Sequence, residues 1–217
     1  MSQENRKIAI IGCGRVSGHH CRSIAKTRGV ELIAVCDLVL DKALAYHNEF
    51  GVKAYQNYHQ MLVENPEIDT VAIITPSGMH FEHSLDIISR YRKNIIVEKP
   101  TFMTPSQVKA VYEKARVAGV QVFAVFQNRH NLAVQRVLKG LALGELGSLR
   151  SVAVRVRWCR PQRYYDLAPW RGTFAMDGGC LTNQGIHHID LLKIFGGSVE
   201  RVCSVHRTLG ADIEVED

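Results

Sequence analysis

A doubly wound parallel α/β domain, followed by an α+β domain with a mainly antiparallel open sheet, is predicted by three observations. Short β-branched runs alternate with helical stretches up to about residue 126, the pattern of βα units whose strands are buried on both faces. The first run leads directly into Gly12-Cys13-Gly14-Arg15-Val16-Ser17-Gly18. Beyond residue 128 the period changes to strict alternation, with Val152, Val154, Val156 and Trp158 on one face and Ser151, Ala153, Arg155 and Arg157 on the other. That is the signature of a half-buried strand in a different sheet. The domains are therefore placed at 1–127 and 128–217.

The elements follow in order. Residues 7–12 read as a strand, and the spacing Gly-x-Gly-x-x-x-Gly then opens a helix. Glycines at such a point permit a tight turn and close approach of a pyrophosphate to backbone N–H groups at a helix start, as in a Rossmann dinucleotide site. A second strand, Glu31 to Cys36, ends in Asp37, whose carboxylate suits a ribose diol and repels a 2′-phosphate. Leu38 follows with no basic residue beside it, so NAD is expected rather than NADP. Helix Val39–Phe50, strand Thr70–Ile74 and helix Ser77–Arg92 continue the alternation, leaving Thr75-Pro76-Ser77 at a strand end. Ser77 serves equally as an N-cap.

The run Asn94-Ile-Ile-Val-Glu-Lys-Pro100 reads as a buried strand stopped by Pro100. Lys99 then stands at a strand's carboxyl end, the side on which open α/β sheets bind ligands. Helix Pro105–Ala118 ends at Gly119, and Val120–Phe126 closes the first domain. Residues 131–143 read as a helix. A glycine-rich stretch from Asp177 enters a helix running to about Phe195, on which Asn183, His187 and Asp190 share one face. A carboxamide, an imidazole and a carboxylate on one face form a polar group that needs a purpose if buried.

Composition excludes several classes. There is no run of about 18 apolar residues, hence no membrane span, and residues 1–6 lack an apolar leader, so a cytoplasmic protein is expected. The six cysteines include no Cys-x-x-Cys pair, so neither a structural metal nor a disulfide framework is expected. A net charge of +6 without a basic block points to an acidic metabolite rather than nucleic acid.

Gly12-Cys13-Gly14-Arg15, Glu98-Lys99-Pro100 and the Gly-x-His-x-x-Asp helix together resemble the glucose–fructose oxidoreductase/inositol dehydrogenase (Gfo/Idh/MocA) family of NAD(P)-dependent sugar dehydrogenases. More narrowly, Tyr164-Tyr165-Asp166, Pro169-Trp170-Arg171-Gly172-Thr173 and Asp177-Gly178-Gly179 with Asn183-Gln184 resemble the branch that oxidises the 3″-hydroxyl of UDP-N-acetylglucosaminuronic acid for bacterial surface polysaccharide. The broad family has Asp where this chain has Asn183, a departure that fits the narrower branch.

The resemblance implies that Lys99 lies beside the reacting hydroxyl, that His187 accepts its proton and that Asn183 helps to hold the sugar. It implies cofactor contacts from Gly12, Gly14, Arg15, Val16 and Asp37 in the first turn and from Thr75, Pro76 and His80 in the next. Glu98, Lys99, Gln127, Trp170 and Arg171 complete that set. Arg15, Arg157, Arg163 and Tyr164 are the further substrate candidates. It also implies a homo-oligomer, a tetramer in the family, and a second domain longer than the one given, which is expected to be truncated. Another sugar or inositol dehydrogenase, or a non-catalytic NAD(H)-binding module, are the alternatives.

Overall fold

The computed structural model describes residues 5–217. Residues 1–4, on which the reading of a leaderless start partly rests, lie outside the described residues. Contacts divide the chain into two compact units, Met1–Val125 and Phe126–Asp217.

The first unit is a Rossmann domain built on a six-stranded sheet in the order β3-β2-β1-β4-β5-β6. The strands are β1 Arg6–Ile11, β2 Val30–Cys36, β3 Lys53–Tyr55, β4 Thr70–Ile73, β5 Asn94–Val97 and β6 Val122–Ala124. Every neighbouring pair is parallel. The apolar runs have a simple cause: helices cover both faces. Ile8, Ile10, Val35 and Ala72 pack with Cys21 and Ile24 of α1 (Ser17–Lys26) and Ala43 of α2 (Leu40–Phe50). Ala9, Ile11, Val71 and Ile73 turn the other way. They meet Met61 and Leu62 of α3 (Tyr58–Glu64), the segment after α4 (His80–Asp86), and Val111 and Ala115 of α5 (Pro105–Ala118). A strand with two buried faces cannot alternate with polar residues without burying them unpaired.

Caps set the helix ends. Thr104 and Gln107 form a reciprocal capping box ahead of Pro105 that was not picked out from the sequence, and Gly119 closes α5 in the left-handed region as expected. The predicted helix Ser77–Arg92 is divided: a 3-10 turn at Ser77–Met79, then α4, then a π turn at Ile87–Tyr91. The last strand is shorter than predicted, Val122–Ala124 within Val120–Phe126. β3 and α3 went unread because they are only 3 and 7 residues long. Asn57, whose side chain accepts from the His59 and Gln60 N–H groups, was the available N-cap signal.

The second unit is a partial C-terminal domain. It holds a 3-10 turn at Gln127–His130, α6 (Leu132–Ala142), α7 (Gln162–Tyr165), a π turn at Cys180–Gln184 and α8 (Ile186–Gly196). The strand predicted at 151–158 is not formed, and none of the described residues of this unit is in a strand. Val154, Val156 and Trp158 are 40%, 43% and 57% exposed. Alternation gives a strand its face, but the ladder requires a neighbouring backbone, and no described segment pairs with this one. The mainly antiparallel sheet is therefore absent from the described residues.

Candidate functional site

The glycine turn lies where the strand order reverses, between β1 and β4, the position at which doubly wound sheets bind ligands. Gly12 has φ +94°, and a Cβ there would stand 2.5 Å from the Ile74 carbonyl oxygen. Only glycine allows β1 and β4 to approach this closely. A Cβ on the exposed Gly14 would meet nothing within 4 Å, so space lies beside its backbone. The Ser17 hydroxyl donates to the Gly12 carbonyl at 2.5 Å and the Tyr46 hydroxyl donates to the Gly14 carbonyl at 2.9 Å. These two braces were not recognised from the sequence. No side chain caps α1, which leaves its start suited to an anion.

Asp37 follows β2. Its carboxylate accepts from the Cys13 N–H at 2.8 Å and the Val39 N–H at 2.9 Å, one on each oxygen. Two N–H groups orient the carboxylate and leave each oxygen lone-pair capacity for a ribose diol. Leu38 beside it is 75% exposed. A closed turn, an uncapped helix start and an oriented acid fit the dinucleotide expected from the sequence. Burial first, then the Asp37 charge, push the Cys13 thiol up to about 12, so it is protonated near neutral pH and contributes through its backbone.

At the ends of β4 and β5 the side chains hold one another. The Thr75 hydroxyl lies 3.1 Å from His83 Nδ1. His80, 1% exposed, places Nε2 at 2.9 Å from the Thr75 carbonyl and Nδ1 at 2.8 Å from the Pro100 carbonyl. This corrects the direct cofactor contact expected of His80: the ring is enclosed and both nitrogens face backbone oxygens. Glu98 reaches His20 of α1, Oε1 to Nε2 at 2.7 Å, and accepts from the Lys99 N–H at 3.0 Å. Lys99 itself is half-buried, and its peptide bond to Pro100 is cis.

Burial pushes the Glu98 carboxyl up, but the His20 hydrogen bond and charge, with the Lys99 N–H and ammonium, outweigh it and hold the acid below its ordinary 4.5. A lowered folded-state pKa contributes stability above the ordinary value and loses it as the pH falls through the lowered one. His20→Ala is therefore expected to make the acid limb of the stability–pH curve shallower. Urea unfolding at a series of pH values checks this. Parallel curves for parent and variant would contradict it.

In the second unit the predicted single helix is interrupted at Gly185, so Asn183 and His187 belong to different elements, the π turn and α8. Asn183 is buried and its amide donates to Asp177, which also accepts from the Gly172 N–H at 2.9 Å. His187 Nε2 is 3.5 Å from Gln127 Nε2, and the ring meets Phe126 edge-on at 6.2 Å between centroids. Asp190, one turn further along α8, gives both its oxygens to Arg129, Oδ2 accepting from Nε at 2.7 Å. Its side chain is 8% exposed against 47% for Arg129. Arg129→Met would leave a buried carboxylate unpaired and is expected to destabilise this unit by about 2 kcal/mol. Asp190→Ala leaves an arginine that water can solvate and is expected to cost less. Chemical denaturation of both variants checks the order, and equal losses would contradict it.

Arg157 and Arg163, read as substrate candidates, are exposed. The arginines that form a cluster are Arg160 and Arg171. Arg160 lies 3.9 Å from the Trp158 ring centroid and 4.6 Å from that of Tyr164. Arg171 lies 4.5 Å from Tyr164 and 4.7 Å from Trp170, and donates to the Tyr164 hydroxyl at 2.5 Å. Gln184 donates to the same hydroxyl at 2.9 Å. The sequence places Arg160 in a positively charged loop with Tyr164 and Tyr165 and Gln184 in the stretch that carries the resemblance; their contacts with Trp158 and the Tyr164 hydroxyl are what the structure adds. The Trp-x-Arg spacing at 158–160, which allows a guanidinium to lie over an indole, was the available signal.

Among the described residues no His, Cys, Asp and Glu group could hold a metal ion, and all six cysteines are free thiols. No described helix is long and apolar enough to cross a membrane.

This geometry has close counterparts. The WlbA dehydrogenase of Bordetella pertussis, solved with NADH and UDP-GlcNAcA, is 34% identical with TM-score 0.93 over 99% of this chain and 65% of its own. WlbA of Chromobacterium violaceum, solved with the same two ligands, is 34% identical with TM-score 0.94 over 100% of this chain and 63% of its own. D-glucoside 3-dehydrogenase of Escherichia coli is 30% identical over 88% of this chain and 54% of its own length. The chain thus spans between half and two thirds of the length of these three proteins. The sequence model of an oxidoreductase family with an NAD-binding Rossmann fold matches residues 6–126, and that of the same family's C-terminal domain matches 134–217. With the reversed strand order, the Gly12 turn and Asp37 all lying within the first match, the chain belongs to the Gfo/Idh/MocA oxidoreductase family and its first unit is the NAD-binding domain.

Proposed function

We propose that the protein oxidises the 3″-hydroxyl of UDP-N-acetylglucosaminuronic acid to the 3-keto sugar with NAD as oxidant, a step toward a bacterial surface polysaccharide. The observation that carries this reading is the likeness, over essentially the whole chain, to two dehydrogenases solved with that nucleotide sugar. The Escherichia coli relative, named for the same carbon of a glucoside, supports oxidation at the 3-position.

When bound, NAD supplies the acceptor for the hydride leaving carbon. Gly12, Gly14, Arg15 and Val16 would hold its diphosphate and Asp37 its adenosine ribose. Thr75, Pro76, Glu98, Gln127, Trp170 and Arg171 are assigned to the rest of the cofactor, Glu98 through its hold on the Lys99 turn. Lys99 stabilises the alkoxide that develops on the sugar oxygen, because an ammonium beside a forming anion lowers its energy most in a water-poor site. His187 accepts the hydroxyl proton, a task suited to a neutral imidazole near neutral pH. Asn183, fixed by Asp177, bonds a sugar hydroxyl without adding a charge that competes with His187. Arg15, Arg157 and Arg163 are assigned to the diphosphate and uronate, with Tyr164 lining the sugar. A homo-oligomer belongs to the same proposal, and sedimentation tests it.

The test is product identification. UDP-N-acetylglucosaminuronic acid incubated with the protein and NAD should lose two hydrogens, and the new carbonyl should map to C3″. Loss at another carbon would overturn the assignment.

A further inference from the structure

We propose that His80 is a positioning residue for Lys99, holding the turn after β5 against the turn after β4. The inference rests on reading Lys99 as the reacting lysine. It starts from a buried imidazole that spans two chain segments far apart in sequence. Nδ1 lies 2.8 Å from the carbonyl of Pro100, the residue after Lys99, and Nε2 lies 2.9 Å from the carbonyl of Thr75, where β4 ends. Burial lowers the ring's pKa, so it carries one N–H, which we place on Nδ1 as donor to Pro100, with Nε2 packed against Thr75.

Both carbonyls belong to loops leaving the sheet, where no ladder fixes the backbone. β4 and β5 remain in register through Ile73 and Val97, and the ladder ends there. Beyond that point the His80 ring contacts both segments. The ring cannot give way: it is 1% exposed. It also starts α4, a rigid element whose following turn is anchored by Ile87 and Ile88, both fully buried. On the other side of Lys99, Glu98 is tied to His20. The backbone on each side of Lys99 is thus held by a histidine from a different helix, which restricts where its ammonium can reach. The effect of His80 passes through the Pro100 carbonyl.

The two ring nitrogens can be separated by substitution. An Asn amide reaches about as far as Nδ1 and a Gln amide about as far as Nε2. His80→Asn should therefore keep the link to Pro100 and lose that to Thr75, and His80→Gln the reverse. The experiment is covalent labelling of lysines in the full chain with trinitrobenzenesulfonate across a range of pH, each site quantified by peptide mass spectrometry. Lys109 and Lys114, exposed on α5, serve as internal references. His80→Gln is expected to change the Lys99/Lys109 labelling ratio by about threefold or more, equivalent to half a pKa unit. His80→Asn is expected to change it less. General loosening of the fold would move the reference lysines as well and is removed by the ratio.

An unchanged ratio in His80→Gln, or equal changes in the two variants, would overturn the proposal. If His80→Gln fails to fold, as circular dichroism would show, the folded His80→Asn decides: a ratio displaced by threefold or more would overturn the proposal, and a smaller change would uphold it. The labelling uses neither cofactor nor sugar. Absence of dehydrogenase turnover would therefore reject the proposed reaction without affecting this result.

Discussion

Lys99→Met is expected to lower the rate of sugar oxidation by a factor on the order of a hundred or more, with NADH affinity within about twofold of the parent. Met has nearly the length of Lys and fits the half-buried position after β5, so the substitution removes the charge with little change of volume. Of the groups that hold the Glu98 carboxylate ionised, the substitution removes the charge of the ammonium and leaves the others. Glu98 retains His20, and the Lys99 N–H that it accepts belongs to the backbone. Lost transition-state stabilisation without lost cofactor binding is the outcome for a group whose interaction strengthens only as the alkoxide forms. His187→Asn, which removes the proposed proton acceptor, should fall by a similar factor. Steady-state rates with NADH fluorescence titration separate the two quantities. Near-normal turnover in either variant would remove that residue from the chemistry.

Gly12→Ala is expected to cost about 2 kcal/mol or more of stability and to weaken NADH binding at least tenfold, through two additive causes. The residue sits at φ +94° with a Cβ position 2.5 Å from the Ile74 carbonyl oxygen, 2.7 Å from its carbon and 2.9 Å from the Thr75 nitrogen. All three are backbone atoms, so no side chain can swing aside. Relief must come from separating β1 from β4, which widens the cofactor crevice where it must fit the pyrophosphate. Gly14→Ala supplies the contrast, because its Cβ meets no protein atom within 4 Å. Gly14→Ala should keep the stability of the parent, and any loss it shows in NADH affinity comes from the bound cofactor itself. Thermal unfolding with NADH titration of both variants checks the pair. Equal stability of Gly12→Ala and its parent would contradict this account of the turn.

The first unit was largely legible because its signals are local. Apolar runs mark strands buried on both faces, and Pro105 and Gly119 mark the limits of a helix. Asp37 and Lys99 follow once the strand ends are located. β3 and α3 were missed because one short strand and two helical turns give too few residues for a period to emerge. The second unit was misread where its structure depends on partners. Val152 to Trp158 alternate correctly for a strand, yet alternation cannot supply the neighbouring backbone that a ladder needs. Asn183, His187 and Asp190 have helical spacing, but the turn changes from π to α at Gly185, and Arg129, distant in sequence, takes the carboxylate. Nor can spacing show that His80 is enclosed between two carbonyls. That arrangement depends on Pro100, twenty residues further along the chain.

The most direct test of the central claim is the absorbance of reduced nicotinamide in the purified protein supplied with NAD. It is recorded before and after addition of UDP-N-acetylglucosaminuronic acid, with myo-inositol in parallel. The account predicts a rise with the nucleotide sugar and none with inositol. A rise with inositol alone, or no rise with either while NAD demonstrably binds, would contradict it.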